Sequence, residues 1–130
     1  MTDFAQRRMT MVDTQVRPND VTKFPIIDAM LSVQRETFVP DDLREAAYVG
    51  ENVHIGRGRV ILEPRSLAKM LDAIDIQPSD RVLDVGSGLG YSTAVLARMS
   101  AKVVALESDP ALTAPARAAL SAAGVTNATV

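Results

Sequence analysis

Arg81-Val-Leu-Asp-Val-Gly-Ser-Gly-Leu-Gly-Tyr91 decides how this chain folds. Its first five residues are a short apolar run bounded by turn signals, and three alternate glycines follow. Residues 90–99, with Ala94, Val95, Leu96 and Ala97, read as a helix. Strand, glycine turn and helix in that order open a βαβ unit. The pattern continues downstream. Residues 102–106 read as a second buried strand and residues 110–123 as an alanine-rich helix. That helix accepts Pro115 only at a cost, unless it starts near Thr113. Gly124 is a natural stop, and residues 127–130 look like the opening of a third strand. Strands alternating with helices predict an α/β fold with a parallel sheet and right-handed crossovers.

Upstream the pattern is helical. Phe4, Arg8, Met11, Val12 and Val16 share helical spacing until Pro18 stops it. Pro25 suits the first turn of a second helix through Ile26, Ile27, Met30 and Leu31. Phe38-Val39-Pro40 is an extended break, and Asp41-Asp42 offers an acidic start to a brief helix ending near Tyr48. Gly50, Gly56 and Gly58 mark residues 49–62 as loop or hairpin. Pro64 opens another helix with Leu67, Met70, Leu71 and Ile74 on one face. The expected division is therefore a helical and hairpin extension over residues 1–63, then the first βαβαβ part of a Rossmann-like sheet over residues 64–130.

Composition narrows the function. With 47% apolar residues the chain can build a core. Its 14 basic and 16 acidic residues give no electrostatic footprint for nucleic acid or an anionic membrane, so neither partner is expected. There is no cysteine and one histidine, His54, so no metal site is expected. No apolar run approaches the roughly 20 residues a spanning helix needs. Residues 1–8 lack the apolar stretch of a secretory signal, and a cytoplasmic protein is the expectation.

The glycines of the turn are Gly86, Gly88 and Gly90. Their G-x-G-x-G spacing leaves the dinucleotide G-x-G-x-x-G incomplete, and no Gly-Lys-Ser/Thr follows to make a P-loop. Glycines at a strand–helix junction still let backbone approach a ligand, beside the unpaired N–H groups of a helix start. Asp84, two residues before Gly86, would repel a pyrophosphate but suits a ligand carrying positive charge. Glu107, 21 residues after Gly86, falls where a carboxylate can accept hydrogen bonds from ribose hydroxyls. Together these point to S-adenosyl-L-methionine, whose ammonium and sulfonium are cationic. The expected cofactor residues are Asp84, Gly86, Ser87, Gly88, Gly90, Tyr91 and Glu107. For each alone a plainer reading exists: a glycine pair as a turn, Glu107 as a solvated cap, Tyr91 as a packing residue.

Several further segments resemble one family, the protein-L-isoaspartate (D-aspartate) O-methyltransferases. Met11-Val-Asp-Thr-Gln-Val-Arg17 is similar to the family's opening helix, and Val33-Gln-Arg-Glu-Thr-Phe-Val-Pro40 to its VPRExFVP segment. Ala46-Ala-Tyr48 resembles its LAY, Ile55-Gly-Arg-Gly58 its IGxG, and residues 80–96 its DRVLEIGTGSGYxxAVL. The resemblance covers essentially the whole chain. It implies a class I methyltransferase with a helical N-terminal extension, methylating the free α-carboxylate of isoaspartyl residues in damaged proteins.

One stretch departs from the family pattern. Where the family reads QTISQP, this chain has Arg59-Val-Ile-Leu-Glu-Pro64, so Val60 and Leu62 stand at the expected hydroxyl positions. No catalytic residue is therefore carried over. Arg57, Arg59 and Arg65 could hold a carboxylate or be ordinary surface charge. The alternative function is a related methyltransferase with another acceptor, or one without isoaspartyl activity. A sheet that stops after two strands and the start of a third also leaves an apolar edge. The expectation is an N-terminal fragment of a longer protein, itself inactive, with dimerisation through that edge as the alternative.

Overall fold

The computed structural model describes residues 3–130; Met1 and Thr2, the first part of the stretch read for a secretory signal, lie outside the described residues. Asp3 starts the first helix, α1 (Phe4–Met11), with its side chain accepting from the Gln6 N–H. Such an N-cap satisfies one of the donors that a helix start leaves open. The helix then widens into a π turn over Val12–Val16 and tightens into a 3₁₀ turn over Arg17–Asn19. Pro18 sits in that last turn, and the chain reverses at Asp20 in the left-handed region. The buried positions Arg8, Met11, Val12 and Val16 keep the spacing read from the sequence.

Helix α2 (Phe24–Ser32) has Pro25 in its first turn and buries Ile26, Ile27, Ala29 and Met30. Residues 35–38 and 41–46 are 3₁₀ turns on either side of the extended Val39-Pro40, so the brief helix expected after Asp41 is 3₁₀ rather than α. Strands β1 (Val53–Gly56) and β2 (Arg59–Ile61) form an antiparallel hairpin with an irregularity between His54 and Gly56. Of the two readings for residues 49–62, the hairpin is the one observed, and His54 lies exposed on β1. Arg57, at the hairpin tip, adopts φ +59°, a conformation that costs a side-chain-bearing residue about 1–2 kcal/mol.

Helix α3 (Pro64–Ile74) precedes the parallel unit β3 (Arg81–Val85), α4 (Tyr91–Met99), β4 (Lys102–Leu106), α5 (Pro110–Ala122) and β5 (Ala128–Thr129). The strand order is β3-β4-β5, with Arg81 opposite Lys102 through Val85 opposite Leu106. Right-handed crossovers that advance in one direction put both helices on the same sheet face. Val103 and Ala105 are accordingly buried, whereas Leu83, Val85, Val104 and Leu106 are exposed. This corrects the reading of residues 102–106 as a buried strand, since only alternate residues are covered. Met70 and Ile74 likewise point outward, although Leu67 and Leu71 of the same helix are buried. Helix α5 begins at Pro110 under an Asp109 cap, so Pro115 does lie inside it. One apolar cluster runs from Met11, Val16 and Phe38 through Leu71 and Val95 to Val103 and Leu120. Among the described residues, no helix is long and apolar enough to cross a membrane.

Candidate functional site

The glycine turn lies where β3 ends and α4 begins. Gly86, Gly88 and Gly90 all have positive φ, at +72°, +61° and +98°. The Gly86 and Ser87 N–H groups donate to the Leu106 carbonyl at 2.7 and 3.2 Å, fastening the turn to the end of β4. Gly90 caps α4, and a Cβ there would lie 3.5 Å from Leu120 and 3.6 Å from Ala116 of α5. Gly86 faces the other way: an added Cβ would meet nothing within 4 Å among the described residues. Gly90 is thus required by its backbone conformation, since a Cβ would make only ordinary contact with α5, and Gly86 borders open space.

Asp84 is held by α4. Its Oδ2 accepts from Ser92 Oγ at 2.8 Å and from Thr93 Oγ1 at 2.9 Å. The carboxylate borders a cavity of about 330 Å³ between α3, β2 and β3, whose lining includes Val60, Leu62, Leu71, Gly86 and Ser87. The Ser87 hydroxyl is buried there with no hydrogen-bond partner among the described residues. An orphaned buried hydroxyl is uncommon and marks a place for a polar partner.

Glu107 follows β4 directly, and its side chain is fully shielded. Its Oε1 accepts from the Gly88 N–H at 2.7 Å and from Arg59 Nη2 at 2.6 Å. Its Oε2 accepts from Arg59 Nη1 at 2.9 Å and from the Asp109 N–H at 2.9 Å. The Arg59 guanidinium, helped by these two backbone donors against the effect of burial, holds the Glu107 carboxyl down to about 2. Beside it Arg57 forms a two-point ion pair with Asp109, the residue that caps α5. Arg65 pairs instead with Glu63 on the surface.

The structure therefore brings Asp84, Gly86, Ser87, Gly88 and Glu107 around one turn. Tyr91 borders the same cavity from the core side. Its ring packs edge-on against Phe38, with centroids 6.1 Å apart, and burial pushes its hydroxyl pKa up. The pairing of Arg59 with Glu107 was not legible, although the arginine had been singled out. The partners lie 48 residues apart, and no spacing rule joins a hairpin to a distant strand end. A second network escaped the sequence reading altogether. The Tyr48 hydroxyl donates to Glu36 at 2.5 Å and accepts from Arg8 Nε at 2.8 Å. Two segments quoted for their resemblance are thus joined by a buried polar network that orders the extension.

A parallel βαβαβ unit with this turn defines the Rossmann-like fold of class I methyltransferases. Residues 6–130 match the family model described as protein-L-isoaspartate(D-aspartate) O-methyltransferase, and the chain belongs to that family. It is 45% identical over 124 residues to the protein-L-isoaspartate O-methyltransferase of Methylorubrum extorquens, covering 95% of this chain and 54% of that protein. The Roseiflexus sp. enzyme of the same name is 42% identical, with 98% of this chain and 58% of the relative covered. A Plasmodium falciparum structure described as a protein-L-isoaspartate O-methyltransferase in complex with S-adenosyl-L-homocysteine superposes with a TM-score of 0.76. That likeness, at 21% identity, spans 98% of this chain and 62% of the other and shows the shared fold. The chain thus spans about half the length of the curated relatives it matches.

Proposed function

We propose that this chain carries the methyl-donor side of a protein-L-isoaspartate O-methyltransferase, which transfers a methyl group from S-adenosyl-L-methionine to isoaspartyl α-carboxylates in damaged proteins. The observation that carries the reading is the Asp84–Gly88 turn, in a chain that matches the family over residues 6–130. When bound, the cofactor supplies an electrophilic methyl on a sulfonium. The residues fit it. Asp84, oriented by Ser92 and Thr93, sets a negative charge where the ligand's ammonium would lie. Gly86 leaves open space, and Ser87 offers an unpaired hydroxyl. Glu107 has the position to accept ribose hydroxyls once Arg59 yields, and Gly90 and Tyr91 support the turn from the core side.

An acceptor carboxylate is already ionised at neutral pH, so no general base is required. Transfer needs alignment in a water-poor contact. Val60 and Leu62 give the cavity an apolar wall without a hydroxyl donor. Their presence alone supports a different acceptor; the family match and the named relatives favour isoaspartyl groups.

In this reading residues 1–63 form the acceptor-side extension and residues 64–130 open the cofactor domain. The protein acts in the cytoplasm, in protein repair. A second copy of the chain pairs with the β3 edge and the exposed face of Leu83 and Leu106. The test is calorimetric titration with S-adenosylhomocysteine, compared with Asp84→Ala, together with methylation of an isoaspartyl peptide by the whole protein using radiolabelled cofactor. Binding that vanishes in Asp84→Ala and label in the peptide support the reading. Cofactor binding without peptide labelling would remove the isoaspartyl acceptor.

A further inference from the structure

We propose that Arg59 and the cofactor's ribose compete for Glu107, so that the β1–β2 hairpin is a latch which cofactor binding releases. The inference rests on the cofactor reading above.

It begins with the capacity of a carboxylate. An ionised carboxylate has about four lone-pair sites and donates nothing. Glu107 already accepts four hydrogen bonds, two on each oxygen. A ribose hydroxyl can donate to it only after one of those donors leaves. Two are backbone N–H groups, of Gly88 and Asp109, fixed by the glycine turn and by the segment between β4 and α5. The other two belong to one side chain. Arg59 is 30% exposed along its side chain, so its guanidinium can turn to water with little desolvation to overcome. It is the donor able to leave.

The hairpin is anchored at its base by the buried Val53 and Ile61, and its tip is built to move with the guanidinium. Arg59 Nη2 also reaches the Gly86 carbonyl at 3.4 Å, placing the guanidinium over the turn itself. Arg57, two residues earlier, pairs with Asp109, so two ion pairs fasten one short hairpin to the site. The intervening backbone is exposed, and Gly56, Arg57 and Gly58 all have positive φ. Neither strand exceeds four residues. Few contacts other than the two arginines hold the tip down, which is the profile of a segment that opens locally.

The competition has a direction. A bidentate arginine–carboxylate pair is stronger than neutral hydroxyl bonds to the same oxygens. Cofactor binding must offset its loss, and Arg59 weakens binding. An arginine that instead helped to build the site would strengthen it. The two alternatives predict opposite signs.

The experiment measures S-adenosylhomocysteine affinity by calorimetry in the wild-type chain, Arg59→Gln and Arg59→Lys, with amide hydrogen exchange of the wild type with and without ligand. The latch predicts roughly tenfold tighter binding in Arg59→Gln, with Arg59→Lys between the two because it keeps charge but loses the fork. It also predicts faster exchange at the hairpin tip, residues 55–59, of the wild type when ligand is added, while residues 86–91 slow. The exchange arm needs no variant and stands if Arg59→Gln folds poorly. Binding by Arg59→Gln alone would also support the latch, as one fully closed in the wild type. Equal or weaker binding in Arg59→Gln, or a hairpin that slows on binding, overturns the latch and leaves the cofactor reading intact. No binding by any form overturns both.

Discussion

The Arg35 guanidinium lies 4.6 Å from the centre of the Tyr91 ring, joining the N-terminal extension to the residue that follows the glycine turn. Arg35 is fully buried, and it donates to the carbonyls of Ala47 at 2.5 Å and Leu62 at 3.1 Å. One side chain thereby ties together the extension, the hairpin exit and the start of α4. Arg35→Met should cost about 2–4 kcal/mol in urea unfolding, because it strands two carbonyls and unpacks the ring. Tyr91→Phe should change stability by less than about 1 kcal/mol, since the Tyr91 hydroxyl already lacks a partner among the described residues. A large loss in Tyr91→Phe would mean the hydroxyl is engaged in solution.

Backbone conformation, and not contact with α5, fixes the third glycine of the turn. Its φ of +98° is strained for any residue with a Cβ, while the 3.5 Å approach to Leu120 is ordinary contact. Gly90→Ala should therefore lower stability by about 1–3 kcal/mol through backbone strain. Gly90→Ala and Leu120→Ala should be close to additive in thermal unfolding, since the alanine methyl would not displace Leu120. Strong coupling between them would place the cost in the helix contact instead.

Acid should act on the Glu107 pair in a defined window. The folded carboxyl, at about 2, lies below the ordinary glutamate value of about 4.3. The pair therefore contributes fully above the unfolded value, and its contribution fades as pH falls from there through the folded one. The stability difference between wild type and Arg59→Gln should be constant near neutrality and shrink between about pH 4.3 and 2. Carbon-detected NMR of Glu107 in Arg59→Gln should show it titrating nearer the ordinary range. A carboxyl that stays near 2 without Arg59 would assign the shift to the backbone donors.

Pro115 lies inside α5, where it has no N–H for the Ala111 carbonyl and its ring crowds that turn. Pro115→Ala should raise thermal stability, by about 1–3 kcal/mol at the midpoint. An unchanged midpoint would indicate that the helix bends enough around the ring to remove the strain.

The exposed face of the sheet bears on the proposed pairing of two copies. Leu83 lies opposite Val104 and Val85 opposite Leu106, all four on the uncovered side. Leu106→Lys should weaken self-association in sedimentation equilibrium with little change in the thermal midpoint, since the side chain is about half exposed beside Val85. Association unaltered by that change would exclude this face from the interface.

The sequence reading reached furthest where local chemistry decides. Pro25, Pro64 and Gly90 mark helix starts that the structure keeps, and the run from Arg81 to Val85 is strand β3. Period-2 alternation in β4 was missed because Val103, Val104, Ala105 and Leu106 are all apolar. Nothing in the letters says which side the crossovers cover. The 3₁₀ form of residues 41–46 escaped for a related reason, since an acidic start suits either helix type. In the site, residues next to the turn were legible from motif and charge. Arg59, by contrast, was grouped with Arg57 and Arg65, and only the folded path separates the arginine on Glu107 from the one on Glu63.

The two ion pairs beneath the hairpin join residues 48 and 52 positions apart, and this bears on the order in which the chain assembles. Loops of that length close late, after the nearby contacts of the helical extension have formed. Glu107 reaches its place only when β4 has registered against β3, so the arginines wait in solvent for a sheet that must exist first. Docking of the hairpin is thus a finishing event of folding, and its release an early event of unfolding. Side chains absent from the transition state slow unfolding while leaving the folding rate alone. Arg57→Gln and Arg59→Gln should therefore shorten the lifetime of the folded chain in stopped-flow unfolding and leave its folding rate unchanged.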